Sequence, residues 1–380
     1  MHDNEKVYDV AIIGGGLAGL TLAIQCIDAG YSTILFEKET YPYHKVCGEY
    51  ISMESLPFLQ RLGFPSERFE LPLIKELQLS DIKGNLYNFV LPLGGFGISR
   101  YTLDDTLYQL AQSKNAEIRI NTKVQDITFI NDSFIITAGK EQFNARIAAG
   151  TFGKRSNIDV RWNRDFIKHK AGKLNNYIGI KYHIRYAYPK EKIALHNFEN
   201  GYCGISNIEN DTCCLCYLTT AKNLKNNNNS IALMEQKLLC QNPFLKEIFT
   251  SAEFLYSEPL VISQVSFNRK NQVENHVLMI GDAAGLITPL CGNGMSMAMH
   301  ASKIAFENID AMLKQKISRT VMEINYTRQW QKQFRKRLWI GRSVQRLFGN
   351  NTSTSIFLKF MYKTKWLSKK LIRATHGEPF

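Results

Sequence analysis

Four stretches of this chain combine residue types whose spacing suits nucleotide and redox chemistry. The first is Gly14-Gly15-Gly16-Leu17-Ala18-Gly19, answered further on by Glu37 at the end of an apolar run. The second is His44-Lys45-Val46-Cys47-Gly48-Glu49-Tyr50. The third is Gly97-Ile98-Ser99-Arg100-Tyr101-Thr102-Leu103-Asp104. The fourth opens with Gly281-Asp282-Ala283-Ala284-Gly285 and continues through Pro289-Leu290-Cys291-Gly292-Asn293-Gly294-Met295. Bare glycines let a pyrophosphate approach main-chain N–H groups, and a carboxylate at the next strand's end can accept hydrogen bonds from ribose hydroxyls. His44, Cys47 and Glu49 are groups that move protons or electrons.

The elements that must position these groups are readable around them. Val7 to Ile13 (VYDVAII) is a β-branched apolar run of the kind a buried parallel strand uses. Leu20, Leu22, Ala23, Ile24 and Ile27 then recur at helical spacing as far as Gly30, and Ser32 to Phe36 forms a second apolar strand. Gly14 serves the tight turn, Gly16 the approach of the phosphates, and Gly19 the close packing of helix on strand. The positive end of the helix faces the phosphates. An acid at position 37 fits an unphosphorylated ribose, hence FAD or NAD rather than NADP.

Taken in order, the motifs resemble those of the flavoprotein superfamily of para-hydroxybenzoate hydroxylase and the geranylgeranyl reductases, from residue 7 to about 305. The resemblance implies an α/β protein: a Rossmann-like FAD-binding domain with an inserted, mainly antiparallel β substrate domain and C-terminal helices. It implies that Asp282 holds the ribityl chain and that Arg100 contacts the pyrophosphate. Pro289, Gly292, Gly294 and Met295 would then approach the flavin. Ala18, Lys38 and Val124 complete the expected FAD contacts, with Gly14, Gly16, Gly19 and Glu37. NADH or NADPH is the donor expected of such an enzyme. In Ala148-Ala149-Gly150-Thr151-Phe152-Gly153-Lys154-Arg155-Ser156, however, Phe152 stands where the hydroxylases carry an Asp, which weakens a case for direct reduction by either. The stretch Lys45 to Tyr50 resembles the geranylgeranyl reductase branch, with Glu49 in place of a second glycine. That branch's aromatic signature should fall near Gly201 to Ser206, where its Trp, Phe and Pro are missing.

Strand patterns interrupt the nucleotide fold twice. The expected division gives 1–74, 94–158 and 267–325 to the FAD domain, 75–93 and 159–266 to the substrate domain, and 326–380 to a basic helical segment. In Tyr177 to Tyr188, Ile178, Ile180, Tyr182, Ile184, Tyr186 and Tyr188 share one face and Lys181, His183 and Arg185 the other. His183 is then either a substrate-facing acid/base or a solvated sheet residue. Cys213-Cys214-Leu215-Cys216 lies in an apolar run without a second pair at ligand spacing, so it reads as strand cysteines and no metal is expected. Catalysis is assigned to Cys47, Glu49 and His44, and a redox pair between Cys47 and Cys291 is an expectation of the two loops' shared place beside the flavin.

Charge adds a location. The 380 residues carry 47 Lys+Arg against 34 Asp+Glu, a net +13. Between Arg328 and Arg373 lie 13 basic residues and no acid, so the rest of the chain is neutral. That distribution argues against a nucleic-acid partner, since no recognition module accompanies it. It suits either helices docked on the chain's own surface or a peripheral contact with anionic lipid. No signal peptide or membrane span is apparent, and the unpaired cysteines suit a reducing cytoplasm, with contact at the inner face of the membrane. The sequence thus reads as an FAD-dependent oxidoreductase, with hydroxylation of an apolar or aromatic molecule preferred. Saturation of isoprenoid C=C bonds is the first alternative, and an electron-transfer flavoprotein without organic substrate is the second.

Overall fold

The structure, a computed structural model, describes residues 6–168 and 175–380, except for the side chains of Asn175, Cys291 and Asn351. Val7–Ile13 pairs in parallel with Thr33–Phe36 on one side and Glu141–Gly150 on the other. The sheet path runs Val273–Glu274, Val277–Met279, Glu141–Gly150, Val7–Ile13, Thr33–Phe36, Glu117–Arg119. A hairpin of Val124–Ile130 and Ser133–Ala138 is attached to it through Glu141–Gly150. Leu17–Asp28 is buried on nearly every side, because it is held between this sheet and the Gly294–Leu313 helix. A hydrogen bond of 2.7 Å between Thr21 Oγ1 and Ser302 Oγ pins the two helices together.

The second sheet has nine strands, and its path is Glu253–Phe254, Asn175–Arg185, Cys213–Thr220, Gly201–Asn207, Lys192–Phe198, Leu73–Ser80, Leu86–Gly97, Tyr50–Ser52. Leu260–Ser266 flanks Asn175–Arg185 off that path. Pairing is antiparallel except between Lys192–Phe198 and Leu73–Ser80. The sheet takes in Tyr50–Ser52 and extends to Gly97, so it reaches beyond segments 75–93 and 159–266. It therefore adjoins the C-terminal end of the stretch that holds His44, Cys47 and Glu49.

Asn175–Arg185 alternates as its pattern requires. Ile178, Ile180, Tyr182 and Ile184 pack with Met234, Leu239, Leu245 and Ile248 in a core of their own. The opposite face differs from the solvated alternative: Lys181 is fully buried and His183 nearly so. Cys213 and Cys214 are buried in the neighbouring strand.

Three helices end the chain: Arg319–Gln345, Asn351–Lys363 and Lys365–Thr375. The inner faces of the first two are apolar, with Phe334, Leu338, Leu358 and Met361 buried, the amphipathic arrangement of a surface helix, while the third buries Ser368 and Thr375. Ser318 and Asn350 cap the first two, accepting hydrogen bonds from the N–H groups of Val321 and Thr352. Among the described residues, no helix is long and apolar enough to cross a membrane.

Candidate active site and cofactor cleft

The glycine turn is shaped by contacts that exclude side chains. At Gly14, where φ is +113°, a Cβ would lie 2.6 Å from the Thr151 carbonyl oxygen. At Gly19 it would lie 2.0 Å from the Gly14 carbonyl oxygen. Gly16 is different, because the space above it is open. The nearest atoms to a Cβ there are Nη2 of Arg100 and Nζ of Lys45, each at 3.7 Å. Main-chain N–H groups at a helix start therefore face two cations across a gap, the chemistry a pyrophosphate requires.

Asp104 fixes both cations. Arg100 donates to it from Nε and Nη2 at 2.7 and 2.6 Å, and Lys45 Nζ lies 2.9 Å away. Burial disfavours the Asp104 carboxylate, yet Arg100 and Lys45 hold its pKa below the ordinary value. Glu37, buried at the end of Thr33–Phe36, accepts from Gly15 N–H at 2.7 Å and from Glu39 N–H at 3.0 Å. Its remaining lone pairs are placed to accept from ribose hydroxyls.

Asp282 closes the other end of the cleft. Its carboxylate makes no hydrogen bond among the described residues, and burial pushes its pKa up against the opposing pull of Lys154, Lys270 and Arg100. Burial lowers the Lys154 pKa against the opposing pull of Asp282, and Cys47, Cys216 and Arg100 are its next neighbours. Asp282, Lys154, Cys47, Cys216 and Arg100 therefore converge on one region. Gly292 stands in the same wall, at φ +61°, where a Cβ would lie 2.9 Å from the Tyr50 ring.

The remaining expected contacts are placed as follows. Ala18 is buried against Gly281, Met295 is buried at the start of Gly294–Leu313, and Pro289 is exposed. Lys38 points to the surface, 3.2 Å from Glu39. Val124 is buried, and its carbonyl accepts from Asn157 Nδ2 at 2.9 Å. Cys47 is half-buried and free, but its expected pairing with Cys291 lies outside the described side chains.

Behind the stretch 44–49 runs a continuous chain of proton-handling groups. Glu49 is fully buried and sits at φ +54°, in the left-handed region that glycine enters most easily. This explains why the resemblance has a glycine there: Glu49 accepts backbone strain to bring its carboxylate inward. It receives the Lys181 ammonium at 2.5 Å, the Arg100 N–H at 2.7 Å and the His183 imidazole, through Nε2, at 2.6 Å. Nδ1 of His183 lies 2.7 Å from the Tyr256 hydroxyl, which in turn lies 3.0 Å from Nε2 of His44. His44 stacks on Tyr101 with ring centroids 4.6 Å apart.

The protonation states along this chain follow from its surroundings. Burial alone would disfavour the Glu49 carboxylate, but Lys181 and His183 bring its pKa below the ordinary value. Burial lowers the His44 pKa to about 4, helped by the positive charge of Lys181. Burial raises the Tyr256 phenol to about 12. At neutral pH the chain therefore presents an ionised acid, a neutral His44 and a protonated phenol.

Glu49, His183 and Cys214 also bring a carboxylate oxygen, a ring nitrogen and a sulfur within 4.8 Å of one another. Their cation is already supplied by Lys181. The Cys214 thiol donates to the Cys47 carbonyl at 3.3 Å, and burial raises its pKa well above the usual range. A protonated thiol is a poor metal ligand, so the cluster is an ion pair with its hydrogen-bond partners.

Sequence patterns singled out His44, Cys47 and Glu49, and placed Lys181 and His183 on one face. Lys154 lies in the stretch Ala148 to Ser156 but was given no role there, and Tyr256 carries no pattern of its own. Tyr256 follows a two-residue strand, and only the fold brings it to His183.

Residues 9–44 match the model of a family described as an FAD binding domain. Conditioned medium factor receptor 1 of Dictyostelium discoideum is 24% identical over 339 residues, which cover 80% of this chain and 63% of that protein. The chain thus spans a little under two-thirds of that relative. A digeranylgeranylglycerophospholipid reductase of Methanococcus vannielii is 23% identical over 326 residues, covering 81% of this chain and 78% of its own length. Among solved structures, a flavoprotein/dehydrogenase of Cytophaga hutchinsonii superposes with a TM-score of 0.80 at 16% identity, covering 98% of this chain and 93% of its own. The flavin-dependent brominase Bmp2 superposes at 0.77 with 18% identity, covering 97% and 93%.

The chain has the fold of the FAD-dependent oxidoreductases, with an FAD-binding segment at its N-terminus. The names of these proteins span a receptor, a reductase, a dehydrogenase and a brominase. The cleft fits FAD on its own terms. It offers an open glycine facing two cations, an acid beside the glycine turn, and a second carboxylate with free lone pairs where polyol hydroxyls can donate.

Proposed function

We propose that this chain is an FAD-dependent oxidoreductase that saturates a carbon–carbon double bond in an apolar, isoprenoid-type small molecule. What carries the reading is the hydrogen-bonded path from Glu49 through His183 and Tyr256 to His44. FAD, when bound, supplies two-electron chemistry. Reduction of a C=C bond needs a hydride at one carbon and a proton at the other. Tyr256 is the proton donor in this reading, since its raised pKa keeps the hydroxyl protonated at neutral pH. The phenolate left behind regains a proton from solvent by way of His44, whose Nε2 lies 3.0 Å away, while Glu49 accepts from Nε2–H of His183 and fixes the orientation of that ring. His44 connects the path outward. The name of the Methanococcus relative supports an isoprenoid lipid as substrate class. NADH, NADPH or a protein donor supplies the electrons.

Hydroxylation uses the same groups in the opposite sense. His44, neutral with a pKa of about 4, would take the proton of a phenol that is then oxygenated at the expense of O₂. The preference passes to reduction because the path contains a phenol donor backed by an imidazole–carboxylate pair. Anaerobic titration of the FAD-loaded protein with NADH, NADPH and dithionite, followed by a polyprenyl quinone or alkene, tests this. Saturated product without oxygen is expected. Product that appears only when air is admitted, with one O₂ consumed per turnover, would overturn it in favour of hydroxylation.

A further inference from the structure

We infer that the outer faces of the three C-terminal helices form a docking surface for an anionic lipid bilayer. The inner faces of these helices are already used. Phe334, Leu338 and Leu358 are buried in the apolar clusters that take in the two sheets, and Met361 is buried as well. A helix that only covered its own domain would turn charges outward and keep its large apolar groups inside. Here the outer faces keep both.

Trp366 is 67% exposed, Ile356 64%, Trp339 63% and Phe360 55%. Ile356, Lys359, Phe360 and Lys363 recur at spacings of three and four, hence on one face of Asn351–Lys363. Lys365, Trp366, Lys369, Lys370 and Arg373 form the corresponding stripe on Lys365–Thr375. On Arg319–Gln345 the stripe is Arg328, Lys332, Arg335, Lys336 and Trp339. Of the basic residues from 328 to 373, all but Arg337 and Arg342 are exposed. Arg337 is the one that finds a carboxylate among the described residues, Glu54 at 3.4 Å. Uncompensated cations surrounding exposed indole, phenyl and alkyl groups match the interface between lipid headgroups and chains. Phosphate alone, as on nucleic acid, explains the lysines and leaves the exposed apolar side chains without a partner. The inference stands independently of the reaction proposed above.

Flotation of the full-length protein with vesicles tests it, on phosphatidylcholine alone and mixed with phosphatidylglycerol, at low and high salt. Wild type is expected to float with the anionic vesicles at low salt and to partition into neutral ones more than tenfold less. Lys359, Lys363, Lys369 and Lys370, each changed to Gln, should lower anionic-vesicle partitioning more than tenfold. The triple variant Ile356→Ser, Phe360→Ser, Trp366→Ser should lose the binding that survives high salt. These groups are exposed, so both variants are expected to keep the wild-type circular dichroism and bound flavin, which checks that they are folded. Equal partitioning into neutral and anionic vesicles overturns the inference. So does binding to duplex DNA that is tighter than vesicle binding and unchanged in the triple variant.

Discussion

Nε2 of His183 lies 2.6 Å from Oε2 of Glu49, two side chains brought together across 134 positions of sequence. The contact joins the second sheet to the stretch that carries His44 and Cys47. Because Lys181 reaches the other oxygen of the same carboxylate, one buried acid neutralises a cation and orients a base.

Glu49→Gln keeps the shape and removes the charge, leaving the Lys181 ammonium buried and unpaired. Breaking a buried pair in this way costs about 3–5 kcal/mol, read as a lowered midpoint of denaturant unfolding. Adding Lys181→Met should recover a large part of that loss, because the stranded charge is gone. Glu49→Gly should be about 1 kcal/mol less damaging than Glu49→Ala, since only glycine adopts φ +54° without strain.

Tyr256→Phe removes the donor and leaves Glu49 and His183 paired. Reduction of bound flavin by the electron donor should be unchanged, while transfer to the organic substrate should slow by about 10²-fold or more. Rapid-mixing measurement of the two half-reactions separately provides the check. Equal slowing of both would show that Tyr256 supports the structure and does not donate the proton.

Gly16 and Gly19 should fail differently. A Cβ at Gly16 meets only the ends of Arg100 and Lys45, so Gly16→Val should fold with wild-type circular dichroism and purify colourless. At Gly19 the added atom strikes the Gly14 carbonyl. Gly19→Ala should therefore lower the unfolding midpoint as well as the flavin content. Asp282→Ala should weaken FAD retention while leaving thermal stability within about 1 kcal/mol, because its carboxylate supports no hydrogen bond among the described residues.

Acid should loosen the fold through its buried histidines. Burial lowers the pKa of His44, His196 and His300 to about 4 each. In the unfolded chain these groups take up protons near pH 6.5. The unfolded state therefore binds more protons between those values, and stability falls as pH drops from about 6.5 to about 4. Urea midpoints at pH 7, 6 and 5 should decrease in that order. His196→Gln should flatten the decline. An unchanged slope in that variant would place the titration elsewhere.

How much of this was legible in sequence depends on how local each interaction is. The strand, glycine turn and helix from Val7 to Asp28 are contiguous, so spacing alone fixes their register and the function of Gly14, Gly16 and Gly19. The face shared by Lys181 and His183 also follows from a period of two. That face's burial does not, because it is created by Glu49, and Glu49 is recognisable only as an acid standing where a glycine is expected. Tyr256 was invisible for a plainer reason: nothing near it in sequence repeats, and its partners are 73 and 212 positions away. The composition of the basic tail suits either a docked helix pair or a lipid contact. Its two faces supply the observations for both, one buried and one still carrying exposed tryptophans.

One bond gives that tail a further meaning. Nδ2 of Asn293, fully buried beside Gly292, donates to the Thr375 carbonyl at the end of the last helix, 2.9 Å away. The turn that walls the cofactor cleft is thus moored to the final element of the chain. A load placed on that helix from outside reaches the cleft turn through that amide. Whatever grips the last helix also holds a thread tied to the place where the chemistry happens.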